Sequence, residues 1–233
     1  MKADPRIAVV IPTLNEASAI TGVIGELPRA MVREIIVADG GSVDDTCAKA
    51  RAAGALVLDA GRGYGRACAL GAAAADPACD VIVFLDGDGA DRGDLLGELT
   101  APIMAGTHDF VLASRTKGER EPGAMLWHQL LAGRMAGWVM GARYGVVYSD
   151  MCAFRAIRRD ALNRLGLTEM GYGWNIEMQL RAAALGLRIL ERPLPYRRRA
   201  GGTSKVAGSL SGTIRAIVAI LRTVARVLTR PAP

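Results

Sequence analysis

An α/β fold with a mostly parallel sheet is predicted by two features of the chain: short, almost wholly apolar runs of strand length, and segments of helical period that alternate with them. Ile7 to Ile11, Glu34 to Ala38 and Val81 to Leu85 contain hardly a polar residue. A strand exposed on one side alternates polar residues, so runs of this kind need cover on both faces, which the helices of βαβ units supply.

The elements follow in order. Ile7 to Ile11 is a strand stopped by Pro12, and Glu16 to Leu27 has the apolar spacing of a helix. Glu34 to Ala38 is the second strand. Gly40-Gly41-Ser42 then turns the chain into a helix over Val43 to Ala53, with Ser42 as its N-cap. Ala55 to Leu58 is a third strand, Tyr64 to Ala75 a third helix, Val81 to Leu85 a fourth strand, and a further helix begins near Asp94. Ligands of open parallel sheets bind beyond the carboxyl ends of the strands. The polar clusters Pro12 to Glu16, Asp39 to Ser42 and Asp86 to Asp91 all fall there, so they are expected along one rim.

Composition narrows the classes. With 51% apolar residues over 233, the chain is globular and of a length for one domain with a short appendage. The four cysteines, Cys47, Cys68, Cys79 and Cys152, show no CxxC spacing and read as reduced thiols. The start MKADPRIAVV enters a strand directly and lacks the pattern of a signal segment, so a cytoplasmic protein is expected. A net charge of +6, weighted towards Arg155 to Arg159, Arg197 to Arg199 and Arg215 to Arg230, implies anionic partners. No nucleic-acid-reading module is present, so phosphorylated small molecules and anionic lipid surfaces rank above nucleic acid. The apolar stretches Met125 to Val147 and Val206 to Leu228 are interrupted by arginines and do not read as bilayer spans.

The strongest chemical signal is Asp86-Gly87-Asp88-Gly89-Ala90-Asp91, directly after the fourth strand. Alternate carboxylates on a glycine-loosened turn suit a hard divalent ion, Mg²⁺ or Mn²⁺, which takes one or two carboxylates together with substrate phosphates. A calcium loop is the competing reading, but Gly97 stands where such a loop needs its glutamate. A solvated acidic turn at a helix start is the plainer alternative.

Together these residues resemble the family 2 glycosyltransferases of GT-A fold, and within them the dolichyl-phosphate mannosyltransferase-like branch. The motifs are Val10-Ile11-Pro12-Thr13-Leu14-Asn15-Glu16, Ile36-Val37-Ala38-Asp39-Gly40-Gly41-Ser42 with Asp44 and Thr46, and Asp86-Gly87-Asp88, and the match runs to about Lys205. The resemblance implies that Pro12, Thr13, Asn15 and Glu16 line the nucleotide pocket, that Asp39 holds the base, and that Asp86 and Asp88 lie near ribose and metal-diphosphate; Asp91 is a candidate to substitute among the metal ligands where the chain departs from the family pattern. The family often has a second acidic residue where this chain has Gly40, and the lipid-phosphate enzymes often have Gln where Ala90 stands. Arg62-Gly63-Tyr64-Gly65-Arg66 resembles the family's glycine-rich loop, whose glycines would admit a diphosphate and whose Arg66 would meet it. A flexible turn with exposed arginines fits the same residues.

Downstream, Ser114-Arg115, Arg134, Ser149 to Arg155 and Arg199 to Lys205 resemble further motifs of the branch. A phosphate monoester has its second pKa at about 6, so a polyprenyl phosphate would attack without a general base. Cations would then orient two anionic substrates, and Arg115, Arg134, Arg199 and Lys205 are the candidates. A hydroxyl acceptor would need a base, for which Asp150 and Glu177 stand ready. Trp174 and Tyr172 could wall the acceptor site or pack in the core. Ser209 to Leu228 spaces Arg215, Arg222, Arg226 and Arg230 by seven, four and four residues, opposite an apolar stripe. Such a helix could lie on an anionic membrane or pack against the domain or a second subunit.

The expectation is therefore an inverting, Mg²⁺- or Mn²⁺-dependent hexosyltransferase. It comprises a GT-A domain over 1–205 and a basic amphipathic helix over 206–233, and works at the cytoplasmic membrane face. Its donor is a UDP- or GDP-sugar and its acceptor a polyprenyl phosphate. Transfer to a soluble hydroxyl acceptor, or non-catalytic nucleotide-sugar binding, are the alternatives.

Overall fold

The structure, a computed structural model, describes residues 6–125, 133, 137, 138, 140–146, 148–201 and 210–229, with 210–216 as backbone only. Its centre is a seven-stranded sheet of order β3-β2-β1-β4-β6-β5-β7. The strands are β1 (Ile7–Thr13), β2 (Glu34–Asp39), β3 (Leu56–Asp59), β4 (Val81–Phe84), β5 (Phe110–Ser114), β6 (Arg155–Arg158) and β7 (Ile189–Pro193). All pair in parallel except β6, which runs antiparallel between β4 and β5. The sheet is mostly parallel, as the apolar runs require.

Period-two alternation divides each strand between two cores. Ile7, Val9 and Ile11 of β1, with Val81 and Val83 of β4, join a cluster under α1 (Ile20–Glu26), α2 (Thr46–Ala52) and α4 (Leu96–Met104). Ala8 and Val10, with Ile82 and Phe84, join the opposite cluster under α3 (Tyr64–Ala74), α5 (Arg159–Leu165), α6 (Trp174–Ala184) and α7 (Leu210–Thr229). Burial on both faces explains why the strands carry no polar alternation. α3 approaches the sheet closely: a Cβ on Gly71 would lie 2.4 Å from Val10 Cγ1.

Two helices start later than their periodicity predicts, for one shared reason. The N–H groups of Asn15, Glu16 and Ala17 are taken by the side chains of Ser42 (2.8 Å), Thr46 (2.8 Å) and Asp44 (3.2 Å), so residues 14–19 form a turn and α1 begins at Ile20. Ser42, spent on Asp39 and Asn15, is not the N-cap of α2, which starts at Thr46 after Asp45. β3 is displaced by one residue, to Leu56–Asp59. The helix expected near Asp94 is a 3₁₀ turn, Gly93–Leu95, continued by α4. All four cysteines are free thiols. No helix among the described residues is long and apolar enough to cross a membrane.

Candidate active site

The loops after β1, β2, β3 and β4 meet at the carboxyl edge of the sheet. Thr13 and Asp39 are register partners at the ends of β1 and β2. Asp39 organises the turn that follows: Oδ2 accepts the N–H of Gly41 (2.9 Å) and Ser42 (2.7 Å), and Oδ1 accepts the hydroxyls of Thr13 (3.2 Å) and Ser42 (2.5 Å). Burial opposes its charge, but these hydrogen bonds, led by Ser42, hold its pKa below the usual carboxylate value. Four donors match the about four lone-pair sites of a carboxylate, so Asp39 serves first to shape the rim. Asn15 is in the left-handed region (φ 53°) and clasps the same turn, its Oδ1 accepting Val43 N–H at 2.9 Å.

Beyond β4 the acidic turn folds back under the segment 195–201. Ala200 N–H donates to Asp88 O (2.9 Å), Arg197 N–H to Ala90 O (3.0 Å), and Arg197 Nη2 to Asp91 O (2.9 Å). Arg197 also forks onto Glu26 at 2.9 and 2.7 Å. The glycines allow this overlay: Gly89 has φ 79°, and a Cβ there would lie 3.1 Å from the Ala200 Cβ. Arg199 is thereby brought onto the carboxylates, with Nη2 3.1 Å from Glu16 Oε1 and 3.5 Å from Asp88 Oδ2. Its Nε is buried and has no hydrogen-bond partner among the described residues. Such a donor is left for an anion.

Burial, and then repulsion from Asp88, pushes the Asp86 carboxyl up to about 7. Burial and the charges of Asp86 and Asp88 push Asp91 up to about 8. These are carboxylates short of positive charge. Tyr64, at the start of α3, donates its hydroxyl to Asp86 Oδ1 at 3.3 Å. The three aspartates feel one another, yet no group of three or more His, Cys, Asp or Glu among the described residues forms a ready-made metal cage. A pair of carboxylates completed by phosphate oxygens is the arrangement that remains.

Two motifs far apart in sequence, Ser114-Arg115 and Ser149-Asp150, meet after β5. Ser114 Oγ lies 2.6 Å from Ser149 Oγ, and Arg115 forks onto Asp150, with Nε to Oδ2 and Nη2 to Oδ1 both at 2.7 Å. Arg115 N–H and Met151 N–H add bonds to the same carboxylate at 3.0 and 2.7 Å. Arg115 also lies 5.1 Å from the centre of the Tyr196 ring. Burial raises the pKa of Asp150, but the Arg115 guanidinium outweighs it and holds the carboxyl below its ordinary value.

Several expectations are corrected by these contacts. Asp150 is 2% exposed and both its oxygens are engaged by Arg115, an arrangement that clamps that arginine. Glu177, 0% exposed, accepts Arg181 Nε (3.0 Å) and the N–H groups of Thr168 (3.0 Å) and Glu169 (2.7 Å), so it too is structural. Trp174 is a core residue, edge-on to Phe84 with ring centres 6.3 Å apart, while Tyr172 is exposed. The glycines before α3 face protein: a Cβ on Gly63 would lie 2.6 Å from Met170 O, and one on Gly65 2.5 Å from Glu169 O. Arg66 Nε donates to Ala60 O at 2.7 Å, tying the loop after β3 to α3. The run Arg155 to Arg159 is no anion patch. Arg155 is wholly buried and donates to the carbonyls of Cys152, Ala153 and Asn175, Arg158 pairs with Asp109 and Asp160, and Arg159 bonds Cys79 O and Asp76 O. Arg134 and Lys205 lie outside the described residues. Tyr64, Tyr196 and Arg155 border the site although no spacing in the sequence singled them out for it.

A parallel sheet with an inserted antiparallel strand, and an acidic turn under a basic strap at its carboxyl edge, define an α/β enzyme of the GT-A type. The chain belongs to the family described as "Glycosyl transferase family 2", whose pattern matches residues 8–166. It is 35% identical over 221 residues to an uncharacterized glycosyltransferase of Mycobacterium tuberculosis, covering 93% of this chain and 96% of that one. It is 31% identical over 235 residues to an undecaprenyl-phosphate mannosyltransferase of Micrococcus luteus, covering 93% of each. Its similarity thus reaches the polyprenyl-phosphate branch. Among solved structures it resembles glucosyl-3-phosphoglycerate synthase from M. tuberculosis in complex with Mn²⁺, UDP and phosphoglyceric acid, with TM-score 0.76 and 25% identity over 100% of this chain and 81% of that one. The protein is a hexosyltransferase.

Proposed function

We propose that this glycosyltransferase moves a hexose, with inversion, from a UDP- or GDP-sugar to a polyprenyl phosphate at an anionic membrane surface. The carrying observation is that the two carboxylates the sequence offers as bases for a hydroxyl acceptor are each paired with an arginine, Asp150 with Arg115 and Glu177 with Arg181. A phosphate acceptor needs no base, because its second pKa of about 6 leaves the attacking oxygen ionised near neutrality. The name of the Micrococcus luteus relative supports the same acceptor class.

The donor side supports a divalent ion. Asp86 and Asp88 would hold Mg²⁺ or Mn²⁺, and the upward pressure on the Asp86 pKa is what a bound cation would relieve. When bound, that ion neutralises charge on the diphosphate leaving group. Pro12, Thr13, Asn15, Glu16 and the Asp39 turn form the nucleotide side of the rim. Arg199, with its spare Nε, holds the diphosphate end, and Arg115, fixed in place by Asp150 and Tyr196, faces the acceptor. Asp91 adds negative charge behind the pair.

A second reading is favoured by one finding: the solved neighbour is a complex with phosphoglyceric acid, a soluble phosphorylated acid. The discriminating experiment is nucleoside diphosphate release from UDP- and GDP-sugars with Mg²⁺ or Mn²⁺, comparing undecaprenyl phosphate with soluble phosphorylated and hydroxyl acceptors. Stimulation by the lipid, reduced about 100-fold or more in Asp88→Ala and Arg199→Ala, is expected. Stimulation by soluble acceptors alone discards the lipid reading.

A further inference from the structure

The C-terminal helix α7 packs on α6, and from its described side chains a run of hydrogen bonds, completed by the peptide bond between Gly65 and Tyr64, leads to Asp86. Arg226 Nη2 donates to Glu169 Oε2 (3.0 Å) and lies 3.7 Å from Glu177 Oε1, and the Thr223 hydroxyl, whose one proton is divided between Ala219 O (2.8 Å) and Glu169 Oε2 (3.1 Å), lies against the same carboxylate. Glu177 Oε2 in turn accepts the N–H groups of Thr168 and Glu169, and Glu169 Oε1 accepts Gly171 N–H at 2.9 Å. The turn 168–171 is therefore folded around two carboxylates that α7 helps to neutralise.

That turn is the cap of α3. The first N–H groups of a helix have no partner within it. Here Gly65 N–H donates to Gly171 O (3.2 Å) and Arg66 N–H to Met170 O (3.0 Å). Between Gly63 and Gly65, whose missing side chains make room for the turn, stands Tyr64, the donor to Asp86. On the other side Gly173 is as tightly fitted, since a Cβ there would lie 2.2 Å from Thr223 Oγ1. Every link from Arg226 to Asp86 is a direct contact or a peptide bond, so the route is contiguous, and a double-mutant cycle tests whether it carries coupling.

We propose that Arg226 and Thr223 are positioning residues for the donor site: by seating Glu169 against Glu177 they fix the 168–171 turn, and with it the Tyr64 hydroxyl on Asp86. This rests on the reading of Asp86 as part of the donor site. Loss of the seat lets Tyr64 drift, which weakens donor binding without removing any group that touches substrate.

The test is a double-mutant cycle between Arg226→Ala and Tyr64→Phe, read as the KM for nucleotide-sugar at saturating Mn²⁺. Arg226→Lys serves as the conservative variant and Arg222→Ala, exposed on the same helix, as the control. Arg226→Ala is expected to raise KM about tenfold alone and less than twofold in the Tyr64→Phe background, with kcat little changed, Arg226→Lys largely restored and Arg222→Ala unaffected. Additive effects in the two backgrounds overturn the proposal, as does a lowered Tm with unchanged KM. Hydrogen exchange at the Gly65 and Arg66 amides gives an independent reading that needs no substrate. Protection is expected to fall in Arg226→Ala and hold in Arg226→Lys, and unchanged protection in Arg226→Ala also overturns it. If Asp88→Ala retains full activity while these amides lose protection, the donor-site reading has failed and the mechanical link has not.

Discussion

Arg115 and Asp150 show how one ion pair can decide a residue's chemistry. An isolated buried carboxylate would be pushed towards neutrality, and an arginine beside it reverses the sign. Because the folded pKa of Asp150 is depressed, its contribution to stability is present above the ordinary carboxylate range and is lost as the pH falls below it. Asp150→Asn leaves a buried guanidinium without its countercharge, so it is expected to destabilise the protein by about 3–5 kcal/mol in urea titrations. In the pH–rate profile, an acidic limb that shifts in this variant would be the sign of a base, and no such shift is expected. Asp86, Asp88 and Asp91 were legible in the sequence because a strand running into alternate carboxylates is a local pattern. The Arg115–Asp150 pair was not legible as a pair, since 35 residues separate its members. Tyr64 is a single aromatic residue between glycines, whose role depends on the turn opposite it.

Between elements, close approach does the positioning. Gly65 lies against Glu169 O, a backbone atom that cannot swing aside. Gly65→Ala should therefore cost about 1–3 kcal/mol as overpacking, seen as a lowered Tm, and should raise donor KM because the turn it displaces caps the start of α3, where Tyr64 stands. At the far edge of the sheet, Asp109 joins the start of β5 to Arg188 before β7, with bonds of 2.9 and 2.7 Å. Those bonds, with modest burial opposing, hold the Asp109 pKa at about 2. The stabilisation is complete above the ordinary value and is lost as the pH falls through about 2. Arg188 is half exposed, so solvent screens the pair and keeps its contribution small. Asp109→Asn should lower stability slightly at pH 7, and the difference should shrink as the pH falls through about 2 and vanish below it. The first four strands and three helices were legible because apolar runs and helical period are strong where both faces are buried. Helix starts were not, because side chains from a neighbouring loop took the N–H groups of residues 15–17 and delayed α1. The antiparallel entry of β6 between β4 and β5 is a matter of topology that periodicity does not carry.

Over the whole molecule, α7 presents two unlike faces. Thr223 and Val227 are buried against the domain and Arg226 turns inward to Glu169 while Arg222 is exposed, so these two arginines do not share one polar face as their spacing suggested. Ile217, Val218, Leu221 and Leu228 are exposed beside the exposed Arg222. The segment 206–233 contains arginines and no acidic residue. An apolar stripe beside an exposed arginine suits the headgroup region of an anionic bilayer, where each Lys or Arg contributes about 1 kcal/mol and each buried CH₂ about 0.8 kcal/mol. A lipid-phosphate acceptor would be reached from that surface. Co-sedimentation with phosphatidylglycerol-containing vesicles should therefore exceed that with phosphatidylcholine alone and weaken as salt rises past physiological strength. Leu221→Glu places a charge in the middle of the exposed stripe and away from the Arg226 seat. It should reduce vesicle binding about tenfold and leave the KM for nucleotide-sugar unchanged in the absence of lipid. Equal binding of Leu221→Glu and the parent protein would instead assign the stripe to contact with a second copy of the chain, which sedimentation equilibrium of the two proteins would reveal as a change in mass.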